Sequence, residues 1–136
     1  MRANAVNSLR KKLRHSVKLD ESILRRVKEL MFDPEHRVKA DAIQFMWELG
    51  RIESLDYIRA MLAEEDAEAR ASGAYLCGKL KLVQLREDLV ALTDDSSWNV
   101  RKTSAIALLG FGTSGKASVE QLLANGTPDQ QVCAAL

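Results

Sequence analysis

At 136 residues, 46% apolar and 29% charged with a net charge of +1, the chain can bury a real core, but as a stack of layers rather than a single globule. It has no apolar run near the length needed to cross a bilayer and no apolar stretch in residues 1–18 of the kind a secretion signal needs, so a cytoplasmic location is expected. Cys77 and Cys133 have neither the number nor the spacing of a disulfide framework or a metal site, and are expected to be buried, reduced thiols.

The near-neutral total conceals an asymmetry. Residues 1–18 carry six bases and no acid, whereas the remainder carries 14 bases against 19 acids. Val6, Leu9, Leu13 and Val17 are spaced by three or four, which predicts a helix with Arg10, Lys11 and Arg14 towards solvent. Two readings fit: a helix that docks on the rest of the chain and caps it, or a basic arm that reaches an acidic partner such as a phosphate backbone, with Arg10, Lys11, Lys12 and Arg14 as the phosphate-binding set.

From residue 19 to 136 the chain repeats. Val38, Ala69 and Val100 stand 31 apart and open apolar runs that stay in step to Gly50, Lys81 and Gly112. Val27, Ile58 and Leu89 keep the same step, as do Leu30, Met61 and Leu92, so a second apolar stripe follows the first in every copy. In chain order this predicts B helices near 20–32, 52–63, 83–93 and 115–124, alternating with A helices near 36–49, 67–79 and 98–110. Small residues at Ala71, Gly73, Ala105 and Ala107 would let A helices approach closely, with Ile43, Leu76, Ile106 and Leu108 filling the layers between them. From Gly112 to Val119 is one residue less than from Gly50 to Ile58, which predicts a tighter entry to the last B helix. Asp33-Pro34-Glu35, Asp94-Asp95-Ser96-Ser97 and Thr127-Pro128-Asp129 read as helix starts. Val132–Leu136 is the opening of a fourth A helix whose apolar face is incomplete, so the chain is expected to be a fragment of a longer solenoid, with an apolar end able to self-associate.

A period of 31 with two amphipathic helices per unit is the signature of an α-solenoid. Asp94, Trp98, Val100, Arg101, Ala105, Leu108, Leu109 and Gly110 form a motif that resembles a HEAT repeat of the short, phycobilisome-lyase-like type, matched in the first copy by Asp33, Val38, Lys39, Ala42, Ile43 and Gly50. The resemblance covers residues from about 20 to 136 and implies a right-handed α-solenoid of HEAT-like helical hairpins, about three repeats and an incomplete fourth. It also admits adaptors, nucleic-acid binders and a chromophore-lyase-like subunit that cradles a linear tetrapyrrole; fold alone does not choose among them.

Lys39, Arg70 and Arg101 recur near the starts of the A helices, where a cation opposes the helix dipole unless an acid pairs with it. They are expected to form a structural ladder with carboxylates of the inter-repeat turns, with Asp33, Asp66 and Asp95 as candidates. Trp98 is expected to cover the edge of the core. Neither His15 nor His36 has a serine, cysteine or carboxylate at a spacing that would organise a general base. Gly110 to Lys116 has the glycine and lysine spacing of a phosphate-binding loop, but Ala117 stands where serine or threonine should be and a helix rather than a strand precedes it. No catalytic residue, metal or cofactor is expected. The expected function is a non-catalytic protein-binding adaptor or regulatory scaffold gripping its partner with the B helices: Glu53, Asp56, Tyr57 and Arg59, then Gln84, Glu87 and Asp88, then Lys116, Glu120 and Gln121. Acids outnumber bases there, which favours a basic protein segment over nucleic acid unless the arm supplies phosphate contacts.

Overall fold

A helix begins where a turn before it satisfies its first free N–H groups, and in this chain those turns recur every 31 residues. The computed structural model describes residues 21–50 and 55–135; the basic arm 1–18, with Arg10, Lys11, Lys12, Arg14 and His15, and the site candidate Glu53 lie outside them. The described residues form eight α-helices and one 3₁₀ turn: α1 (Glu21–Leu30), α2 (His36–Glu48), α3 (Leu55–Leu62), α4 (Ala67–Lys79), the 3₁₀ turn (Val83–Leu85), α5 (Arg86–Leu92), α6 (Trp98–Leu109), α7 (Thr113–Asn125) and α8 (Pro128–Ala134).

The N-caps of α2, α4 and α6 are Glu35, Asp66 and Ser97, 31 apart. Val38, Ala69 and Val100, two residues into each helix, are fully buried, as are Val27, Ile58 and Leu89 of the intervening helices. Asp33 and Asp95 hold the turns by accepting the N–H of the residue two further on, Glu35 and Ser97, both at 2.9 Å. In the middle copy Asp66 does this from the cap itself, accepting Glu68 N–H at 2.8 Å.

The exits recur as well. Gly50, Lys81 and Gly112 have φ of 65°, 55° and 74°; Gly50 and Lys81 directly follow the C-caps Leu49 and Leu80, where a positive φ ends a helix by turning the chain away. Glycine adopts it freely and lysine does not. Gly112 is also the N-cap of α7, which therefore starts at Thr113, earlier than the predicted 115. In the shortened third turn Gly115 lies against α6, where any Cβ would collide with the Leu108 carbonyl oxygen.

The chain divides into two compact units, Met1–Tyr57 and Ile58–Leu136. In the first, α1 packs on α2 around Val27, Val38, Ile43 and Phe45, and Phe32 meets Tyr57 edge to face at 5.9 Å between ring centroids. In the second, α6 is central: α4, α5, α7 and α8 all pack on it, and α8 also packs on α7. The α4–α6 approach is close at Gly78, where a Cβ would lie 2.9 Å from Ala107 Cα. Gly73 is close-packed too, but against Met61 and Leu62 of α3 rather than against another A helix. One expected layer-filler is corrected: Ile106 is 59% exposed, because it lies, with the half-exposed Leu109, on the side of α6 that α8, seven residues long, covers only in part.

Replacing Lys81 with glycine removes a left-handed non-glycine residue and is expected to raise stability by about 0.5–1 kcal/mol, after the entropy that glycine adds to the unfolded chain. In a thermal melt that is a rise of roughly 2–4 °C. Gly115→Ala is expected to do the reverse, by about 2 kcal/mol or more, since backbone rather than a mobile side chain must yield.

Candidate functional site

Because α5 and α7 both pack on α6, a groove of about 460 Å³ runs between them. Arg86, Glu87 and Val90 line it from α5, and Ser114, Ser118, Gln121 and Asn125 from α7. Those four residues of α7 are spaced by four, three and four, which puts them on one face of the helix. The Ser118 hydroxyl donates to the Ser114 carbonyl at 3.3 Å. Arg86 reaches Glu87 Oε1 through Nη2 at 3.3 Å, while its Nε is buried without a hydrogen-bond partner. At the end of the groove Gln130 is tied down, donating to Thr93 Oγ1 at 3.1 Å and accepting the Thr127 N–H at 3.0 Å. Thr127 and Gln130 together form a capping box for α8, which starts at Pro128.

The groove offers hydroxyls, side-chain amides, one cation and one carboxylate, a set suited to polar recognition. It holds no nucleophile with a general base, and among the described residues no cluster of His, Cys, Asp or Glu could hold a metal ion. Of the expected lining, Glu87 and Gln121 are in the groove. Asp88 faces Arg59 across α5 and α3 at 3.8 Å. Lys116 and Glu120 are exposed on α7, Gln84 is exposed in the 3₁₀ turn and Asp56 is exposed on α3. Tyr57 is half-buried beside Phe32. Arg86, absent from the expected set, balances Glu87, so the acid surplus read from the sequence does not carry into the groove. The signal that could have found it was the polar stripe Ser114, Ser118, Gln121 and Asn125, legible at helical spacing.

The Arg70 rung of the expected ladder forms in full. Arg70 holds Asp95 with two bonds, Nε to Oδ2 at 2.8 Å and Nη2 to Oδ1 at 3.0 Å, with side chains only 14% and 10% exposed. Its Nη1 donates to the carbonyls of Glu64 and Glu65 at 2.8 and 2.6 Å. Asp66 is not its hydrogen-bond partner but the cap of α4. Arg101 repeats the turn contact, Nη1 to Asp95 O at 2.7 Å, but not the carboxylate: 25 residues on, where Arg70 finds Asp95, Arg101 would find Gly126. Its Nε is buried and unpartnered, and its guanidinium lies 5.4 Å from the Trp98 ring. Trp98 thus covers Arg101 as well as the core edge. Lys39 is half-buried at the start of α2.

The remaining chemistry is quiet. Burial, reinforced by the charge of Asp88, pushes the Cys77 thiol up to about 12, so it stays protonated and unreactive. Burial raises the Cys133 thiol too, and that thiol donates to the Arg101 carbonyl. The glycines resembling a phosphate loop serve the fold: Gly110 caps α6, Gly112 caps α7, and Gly115 and Lys116 lie in the first turns of α7. Among the described residues no helix is long and apolar enough to cross a membrane.

Burial alone would raise the Asp95 carboxyl, but Arg70 and the Ser97 N–H outweigh it and hold the group below the usual carboxylate range. A depressed folded value means stability that is complete above the unfolded value of about 3.9 and is lost as pH falls through the folded one. Asp95→Asn is expected to cost about 2 kcal/mol at neutral pH. In denaturant titrations it should also flatten the fall in stability between about pH 4 and 2 relative to the parent chain. No protein-family model and no curated protein matches the chain.

Proposed function

We propose that this chain is a non-catalytic protein-binding module, an adaptor or scaffold built of HEAT-like helical hairpins stacked as a right-handed solenoid, which grips a polar segment of another protein between its second-helix faces. The carrying observation is the α5–α7 groove, with hydroxyl and amide side chains along one helix face and the buried Arg86 Nε without a partner. A surface of this kind gains affinity by adding many modest polar contacts along an extended ligand. One acid and one base in the lining suit a segment without strong net charge better than the basic segment expected from the sequence.

The test is capture on the intact chain under native conditions, followed by hydrogen exchange on the retained complex. Protection of backbone amides in 86–92 and 113–125 is expected. Gln121→Ala combined with Asn125→Ala should weaken the complex about tenfold, the size of two modest hydrogen bonds, with helicity unchanged by circular dichroism. Protection confined to other helices, an affinity indifferent to the pair, or a measured catalytic turnover would replace this reading.

A further inference from the structure

The chain does not line every depression with polar groups. A second hollow, of about 340 Å³, presents Trp98, Ile106 and Leu109 of α6 and Val119 of α7, whereas the α5–α7 groove presents Ser114, Ser118, Gln121 and Asn125 from the first turn of α7 to its last. We propose, resting on the reading that this groove holds a protein segment, that the segment is bound as an extended strand through its main chain, with little regard to its side chains.

The space is long and narrow. Ser114 and Asn125 are 11 residues apart, about 16 Å at the rise of an α-helix. The groove's 460 Å³ spread over that length leaves a channel roughly 6 Å across. A strand lies about 5 Å from its neighbour, whereas a helix with its side chains is about 10–12 Å wide and would stand largely outside the channel. About five extended residues fill the length, at about 3.4 Å each.

The lining also steps at the pace of an extended chain. Ser114 to Ser118 and Gln121 to Asn125 are each four residues, about 6 Å along the helix, and the groups on one edge of an extended chain recur every second residue, about 6.8 Å. Glutamine and asparagine each offer an N–H donor and a carbonyl acceptor, the same pair that a main chain offers at every residue but proline. The Ser118 hydroxyl donates to the Ser114 carbonyl, which leaves its oxygen to accept an N–H. Arg86 and Glu87, the charged residues of the lining, bond to each other and give the groove little net charge by which to select side chains.

The experiment uses the full chain and three capped octapeptides that alternate threonine with serine, alanine with glutamine, and valine with asparagine, so that they share a main chain and differ in every side chain. The side-chain NH₂ signals of Gln121 and Asn125, followed by NMR in the unaltered protein, report the groove. All three peptides are expected to move those signals saturably, with dissociation constants below about 1 mM and within about threefold of one another, and to give the transferred NOEs of an extended chain. N-methylation of every residue removes the main-chain donors and keeps the side chains, and should weaken each peptide about tenfold or more. N-methylation of alternate residues spares one edge of an extended chain and should cost no more than about twofold. Gln121→Ala with Asn125→Ala should weaken all three peptides by the same factor, whereas Lys116→Ala, at an exposed residue of α7 outside the lining, should bind as the parent does. Binding of one composition only, binding that survives full N-methylation, or a helical bound peptide overturns main-chain recognition and leaves the groove as a segment-binding site. No movement with any peptide also overturns it, since a site indifferent to side chains must accept them; whether a particular partner uses the groove is then decided by the capture experiment.

Discussion

Gly78 leaves no space above Ala107: a Cβ added there would lie 2.9 Å from the facing Cα, so the two backbones meet almost directly, and the second unit is arranged around that contact. With α4 so close to α6, Ala74, Leu76 and Cys77 on the one helix and Val100, Ala105 and Leu108 on the other are buried. The same helix then receives α5, α7 and α8. On α7 the approach is again set by a glycine, Gly115 beneath the Leu108 carbonyl. Close backbone packing also explains why small residues rather than large ones mark the helix crossings, since the large ones sit between the crossings.

Packing alone does not fix where each helix begins. Arg70 does so electrostatically: one guanidinium joins the carbonyls before α4 to the carboxylate before α6, so two successive turns share one cation. Both side chains are largely withdrawn from water, and the geometry is bidentate, which is what lets such a pair offset its desolvation. Arg101 shows the contrasting case. It has the same turn contact and no carboxylate, and it settles under the Trp98 ring, where a cation gains from the aromatic face. The difference is one residue, Gly126 in place of an acid.

The polar groove and the apolar hollow are consequences of the same arrangement. Helices that pack on a common neighbour but not tightly on each other leave a channel, and the residues lining it are free of core packing. On α7 those residues are serine, glutamine and asparagine; on the exposed side of α6 they are tryptophan, isoleucine and leucine. Hydrophobic periodicity marks the first as an ordinary solvated face and the second as core. Only the position of neighbouring helices separates a stripe that faces water from one that lines a groove.

Local physics was enough for much of the fold. The 31-residue step, the alternation of two apolar stripes, and the aspartates, proline and glycines at the turns are properties of near neighbours in the chain, and they marked the helices, their order and the fully buried Val38, Ala69 and Val100. They also marked Arg70 as a cation that needs an acid from an inter-repeat turn, with Asp33, Asp66 and Asp95 as the candidates, and the structure chose Asp95. What depended on tertiary structure was everything decided by distance between residues remote in sequence: that Arg86 enters the groove beside Ser114 and Ser118, that Phe32 rather than a core residue meets Tyr57, and that Ile106 and Leu109 face an open hollow. Sequence period specifies which face of a helix is apolar, but burial needs a second surface within van der Waals reach, and α8 supplies that surface to only part of α6.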